Sequence, residues 1–407
     1  MSQSHDRLNR LNVVDNQLNI AGYSAAEIIA IAGQSPCYVY AKDEITARVA
    51  ELREQLPSQL QLHYAIKANP MPAVVQHLAT LVDGLDVASH GELKTALAAC
   101  SPASTISFAG PAKQLSELTA AVISGVVINV ESALELERLI CLAEQTGRTP
   151  QVALRINPDF ELKTAGMKMG GGPKQFGIDA EQIPDILAHW PDSLAFKGFH
   201  IFSGSQNLKP AALIEAHHKT FALAARLAEF APCKPSHINI GGGLGIPYFP
   251  GEEALKLDEI GVNLQRLLDN LPASLQGCDV IMELGRYMVG EAGYYLCTVS
   301  DIKVSRGQTY AMVDGGLHHH LSNSGNFGQV IRKNYPVVVA DCIESQDCDT
   351  IEIVGPLCTP LDIVGAKLTL PTLKIGYHIA VLQSGAYGAT ASPQRFLGHP
   401  EVVELLL

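Results

Sequence analysis

The 407-residue sequence lacks most of what would place it outside the soluble enzymes. No apolar run approaches the roughly 20 residues needed to span a bilayer. Its opening, MSQSHDRLNR, carries no signal-type apolar segment, and its nine cysteines include no C-x-x-C pair. An odd number of cysteines without a secretory start predicts a reducing, cytoplasmic setting rather than a disulfide scaffold. Basic residues are in deficit, 29 Lys and Arg against 41 Asp and Glu, and the net charge of −12 disfavours nucleic acid and acidic membranes as partners. No internal repeat or low-complexity linker is present. What remains, 47% hydrophobic and 17% charged residues, describes a well-buried enzyme too long for one ordinary core, so two domains are expected.

The pattern along the chain is a regular alternation. Residues 1–36 form an N-terminal segment, with Ser24 and Gly33 suited to cap an alanine-rich helix, and are expected to pack with the C-terminal domain. Over 37–290, strands expected at 62–66, 85–88, 106–109, 127–130, 151–156, 196–201, 236–240 and 280–284 are separated by amphipathic helices. Eight such repeats predict a (β/α)₈ TIM-like barrel. Over 291–407 short β-rich runs with turn residues between them predict an antiparallel β domain.

The candidate chemistry lies at the carboxyl ends of the barrel strands, where such barrels keep their active sites. The first of these strands ends on Lys67 and the next carries Asp86. Taken alone, Lys67 is either a strand cap or a desolvated lysine able to form an imine with a carbonyl. The sixth strand delivers His200 and then Ser203-Gly204-Ser205, the seventh runs into Gly241-Gly242-Gly243, and the eighth into Glu283-Leu284-Gly285-Arg286. Consecutive glycines and an arginine suit a phosphate. A cofactor bearing both a phosphate and an aldehyde, as pyridoxal 5′-phosphate (PLP) does, would satisfy these groups and Lys67 together.

The ordered motifs YAIKAN, GLDVASHGEL, GFHIFSGSQ, INIGGGLG, ELGRY, GPLCTPLD and SGAYG resemble the PLP-dependent decarboxylases of the alanine-racemase fold type, which include diaminopimelate, ornithine and arginine decarboxylases. The resemblance covers residues 37–395 and implies a PLP-binding barrel, a β domain and a homodimer with shared active sites. It implies that Lys67 is joined to the cofactor aldehyde and that Glu283 keeps the pyridine nitrogen protonated, in an element where the family's proline is Leu284. His200 would stack on the ring. Ser203, Gly242, Gly243, Arg286 and Tyr387 would hold the phosphate, and Asp86 would tune Lys67. Cys358 from the partner chain would be the acid that protonates the product carbon.

One departure bears on the substrate. Decarboxylases of free basic amino acids place an acid directly after the cysteine, where this chain has Thr359, with Asp362 further on. A buried ammonium without a carboxylate is costly. The C-T-P-L-D form resembles the subgroup of biosynthetic clusters that includes the butirosin-pathway enzyme acting on glutamate tethered to an acyl-carrier protein. The expected function is therefore removal of the α-carboxylate from an amino acid or an aminoacyl group on a carrier protein, with diaminopimelate decarboxylase as the alternative. Thr359, Asp362 and Arg332 are the candidate substrate contacts. The glycine-rich 163–176 segment reads as a surface loop, a mobile flap or a contact for the carrier's phosphopantetheine arm. His318-His319-His320 reads as a turn or a substrate-facing stretch rather than a metal site, since consecutive side chains of an extended segment do not converge on one ion. A racemase, or a PLP-binding protein without activity, is the competing class. The cysteine motif at 355–362 argues for decarboxylation over racemisation, and Cys358 with the β domain argues against a protein without activity.

Overall fold

The computed structural model describes residues 5–161, 167–168 (backbone only), 170–323 and 333–407. Arg332, and the part of the 163–176 segment that falls at 163–166 and 169, lie outside the described residues. The chain forms two compact units.

One unit, Thr46–Ile246 with Ala254–Met288, is the barrel. Its strands are β1 (Leu60–Ala65), β2 (Gly84–Val87), β3 (Ile106–Phe108), β4 (Val127–Val130), β5 (Gln151–Asn157), β6 (Ala195–Ile201), β7 (His237–Gly242) and β8 (Asp279–Leu284). Each pairs in parallel with the next, β8 closes onto β1 through Glu283 opposite His63, and the eight strands make a closed barrel. The strands read as near-continuous apolar runs because helices cover the barrel outside, burying both faces. The intervening helices begin at side-chain caps. Ser89 accepts from the Glu92 N–H at 3.2 Å ahead of His90–Ala98, and Ser132 does the same for Glu135 ahead of Ala133–Thr146.

The other unit gathers Met1–Ile45, Pro247–Glu253 and Val289–Leu407. Its sheet runs β11 (Val337–Val339), β14 (His378–Val381), β9 (Gly293–Ser305), β10 (Gln308–Val313), β12 (Cys348–Val354), β13 (Ile363–Pro371). Most pairings are antiparallel, but β10 and β12 run parallel. Cys37–Tyr40, assigned with the barrel by sequence, instead pairs antiparallel with β9 and parallel with β15 (Val403–Leu406). All four of its residues are buried, so its apolar run carried no face preference by which sequence could choose its sheet. The helix Ala25–Ala32 packs here too, with Ser24 as its N-cap in a full capping box and Gly33 left-handed at its end.

Candidate active site

Lys67 follows β1 in a single 3₁₀ turn, Ile66–Ala68, whose flanking residues are buried. Its Nζ lies 3.3 Å from Glu283 Oε1 and 5.9 Å from the Phe202 ring centre. Glu283 is buried near the end of β8, and its other oxygen sits 3.2 Å from His200 Nε2, off the line of a hydrogen bond. Burial alone would push the Glu283 carboxyl up. Lys67, His200 and Arg155 together outweigh that and hold it well below the usual carboxylate range. Three residues singled out by sequence, Lys67, His200 and Glu283, thus meet at the barrel mouth.

Beside them is a glycine cradle. Gly241 and Gly243 have φ of +69° and +85°, and a Cβ on Gly242 or Gly243 would run into the carbonyls of Glu283 and Gly204 respectively. Asn239 sets the turn by accepting from the Gly241 N–H at 2.8 Å. Ser203 is buried just past β6, and Arg286 opens the short helix Arg286–Val289 just past β8. Because β6, β7 and β8 are neighbours, Ser203, Gly242, Gly243 and Arg286 share one sector of the rim.

Beside Asp86, His200 and Glu283, the structure adds residues that sequence reading passed over. Each barrel strand carries a buried polar side chain: His63, Asp86, Ser107, Asn129, Arg155, His200, Asn239 and Glu283. Asn129 Nδ2 donates to Ser107 Oγ at 3.0 Å, Ser107 donates to Asp86 Oδ1, and His63 Nδ1 stands 3.5 Å from that same oxygen. Arg155 pairs with Glu131 at 2.8 Å, and Glu131 Oε2 also accepts from the Gly177 N–H at 3.1 Å. Asp86 therefore spends one oxygen within the barrel, and its Oδ2 has no partner among the described residues. In the short strands β2, β3 and β4 the signal was a single polar position, Asp86, Ser107 or Asn129, in an otherwise apolar run.

The remaining candidates belong to the β unit. Cys358 is exposed. Thr359 turns its hydroxyl onto its own loop, accepting from the Leu361 N–H at 3.3 Å. Asp362, taken from sequence as a candidate substrate contact, is corrected here. It is 2% exposed, and its two oxygens accept from the backbone N–H groups of Leu317 and Leu357 at 2.6 and 2.8 Å. Tyr387 is left-handed at φ 55°, and its carbonyl accepts from Ser322 Oγ at 2.9 Å. The three histidines diverge: His319 Nε2 meets the Pro400 carbonyl at 2.8 Å, His320 Nε2 meets Ser384 Oγ at 2.9 Å, and His318 stacks between His319 and His399.

PLP fits the barrel residues on three observations. An amine stands at the mouth. His200 Nδ1 and Nε2, Glu283 Oε2 and Asp86 Oδ2 are buried polar atoms without hydrogen-bond partners among the described residues. The glycine cradle admits no side chain.

Comparison with known proteins agrees. Residues 42–290 match the family of pyridoxal-dependent decarboxylases through its pyridoxal-binding domain. The chain is 38% identical over 395 residues to an L-glutamyl-[BtrI acyl-carrier protein] decarboxylase of Niallia circulans, covering 94% of this chain and 91% of that one. It is 31% identical to a 2-[(L-alanin-3-ylcarbamoyl)methyl]-2-hydroxybutanedioate decarboxylase of Staphylococcus aureus, covering 89% and 92%. Among solved structures, a diaminopimelate decarboxylase of M. jannaschii superposes with a TM-score of 0.88 at 26% identity, covering 98% of this chain and 92% of that one. The chain belongs to the pyridoxal-dependent decarboxylases, lyases that use PLP.

Proposed function

We propose that the protein removes the α-carboxylate of an aminoacyl group carried on an acyl-carrier protein, with glutamyl as the first candidate. The observation that carries this reading is Thr359. Where decarboxylases of free basic amino acids place an acid, this chain has a hydroxyl committed to its own loop. The nearest downstream acid, Asp362, is already spent on two backbone amides. A distal ammonium would be buried without a counter-charge at a cost of roughly several kcal/mol, whereas an acylated side chain brings no such charge. The two relatives named above support the reading, since each acts on an amino acid joined to something larger, a carrier protein or a carbamoyl-linked acid.

The barrel residues divide the work. Lys67 would supply the amine that binds the cofactor aldehyde, and Ser203, Gly242, Gly243 and Arg286 would hold its phosphate, a role we assign to Tyr387 as well. Glu283, kept ionised by its neighbours, would hold a proton on the ring nitrogen of the bound cofactor. His200 would pack against the ring, and Asp86, whose Oδ2 has no partner among the described residues, would orient the Lys67 end. Bound PLP supplies an electron sink for the pair left when CO₂ departs. Protonation of the carbon needs a general acid worth roughly 10²–10⁴-fold, and we assign it to Cys358 of the partner subunit in a homodimer. Nine free thiols suit a cytoplasmic enzyme. The alternative, diaminopimelate decarboxylase, is favoured by the likeness to the M. jannaschii enzyme.

The test is a gain of function. Thr359→Asp restores an acid beside Cys358 and is expected to improve kcat/KM for free diaminopimelate or lysine by about tenfold or more while weakening turnover of the carrier-bound glutamyl group. A wild-type enzyme that already turns over free diaminopimelate efficiently, with Thr359→Asp making no difference, overturns the reading.

A further inference from the structure

Cys358 sits at the exposed tip of a short loop whose base is unusually tightly tied. The Gly355 N–H donates to the Asp362 carbonyl at 2.9 Å, closing the loop as a ring. Inside that ring the Asp362 carboxylate reaches back to the Leu357 N–H at 2.8 Å, one residue before the thiol. Its other oxygen takes the Leu317 N–H at 2.6 Å, in the Asp314–His320 loop of the same unit. Both neighbouring glycines are part of the fit, because a Cβ on Gly316 or on Gly355 would run into this carboxylate. Between adjacent positions the chain passes from Leu361, 57% exposed, to Asp362, 2% exposed. A buried carboxylate that serves two backbone amides from two loops is neither a substrate ligand nor a surface charge. It is a brace.

We propose that Asp362 is the positioning residue for the Cys358 thiol, tying the Cys358 loop and the Asp314–His320 loop into one rigid piece so that the thiol is presented at a fixed place. The proposal rests on Cys358 acting as the general acid in the function proposed above. Placement of a reacting group to within about 1 Å is worth as much as 10²-fold in rate, so a brace acting at the base of the acid's loop has leverage on turnover without touching substrate. Loss of the second acceptor oxygen is what a substitution must achieve. Asp362→Asn keeps the size of the side chain but turns an NH₂ toward one of the two N–H donors, so one tie is lost.

The experiment is a double-mutant cycle on the PLP-loaded full chain, reading CO₂ release from glutamyl-loaded carrier protein together with iodoacetamide labelling of individual cysteines by peptide mass. Asp362→Asn is expected to slow turnover by roughly 10- to 100-fold. It is also expected to raise labelling of Cys358 several-fold, with Cys100 and Cys233 unchanged. In a Cys358→Ala background the Asp362→Asn change is expected to cost nothing further, because its effect runs through the thiol. Equal losses in both backgrounds, or unchanged turnover with unchanged Cys358 labelling, overturn the proposal. Full turnover by Cys358→Ala alone removes the acid itself, a result distinct from a failed brace, in which Cys358→Ala is slow and Asp362→Asn is not. Should Asp362→Asn fail to fold, hydrogen exchange of the wild type decides: the Leu357 and Leu317 amides exchange slowly if braced, and fast exchange at either refutes it.

Discussion

Acid should loosen the β unit through one histidine whose neutrality the structure enforces. His320 is 1% exposed, with the rings of Tyr38, Tyr295 and Tyr335 centred 5.6, 5.5 and 5.5 Å from its own. Ser384 already donates its hydroxyl proton to the Val381 carbonyl at 2.8 Å, so His320 Nε2 must donate to Ser384 Oγ and carries the hydrogen. Nδ1 then accepts from the Asn323 N–H at 3.4 Å. A second proton would displace that contact and place a charge among tyrosines, and burial pushes the imidazole down to about 3. In the unfolded chain the same ring titrates near 6.5. A folded pKa below the unfolded one gives stability that is complete above about pH 6.5 and is lost as pH falls toward 3. Between pH 7 and pH 5 the unfolded state gains most of a proton and the folded state none, a loss of about 2 kcal/mol. His320→Gln cannot titrate. The stability difference between wild type and this variant, read from amide exchange of β11 and β14 after correction for intrinsic rates, is expected to shrink by about 2 kcal/mol from pH 7 to pH 5. Parallel pH dependences for the two proteins would refute the reasoning.

Two further substitutions probe the barrel. Lys67→Ala is expected to abolish the visible absorbance of lysine-bound PLP and activity together, and retention of that band with normal activity would remove Lys67 from its role. Gly243→Ala forces a side chain into a left-handed position against the Gly204 carbonyl, a strain of roughly 1–3 kcal/mol, and is expected to weaken PLP binding by about tenfold or more in equilibrium dialysis. Unchanged affinity would mean that the glycine turn does not approach the cofactor.

Much of this architecture was legible because barrel strands and their helices leave local signals. The strands expected at 127–130 and 280–284 lie within a residue of β4 and β8, and His200, Glu283 and Lys67 converge as their strand ends dictated. What stayed hidden was set by distant partners. Pro247–Glu253 lies within the barrel's stretch of sequence but folds with the β unit, which no local pattern announces. Asp362 reads as a free acid until Leu317, far upstream, is seen to donate to it. Ser107 and Asn129 looked like incidental polar positions, and only closure of the barrel brings them to Asp86. The parallel pairing of β10 with β12 depends on the path of the intervening chain, which strand propensity does not encode.

The measurement that bears most directly on the central claim is CO₂ release by the PLP-loaded wild-type protein offered two sets of substrate. One is free lysine, ornithine, arginine, diaminopimelate and glutamate; the other is glutamate loaded on an acyl-carrier protein. The account predicts turnover of the carrier-bound glutamyl group, with free basic amino acids slower by at least about 10²-fold, since each would bury an ammonium that Thr359 cannot pair. Efficient decarboxylation of a free basic amino acid, with the carrier-bound group left untouched, would contradict it.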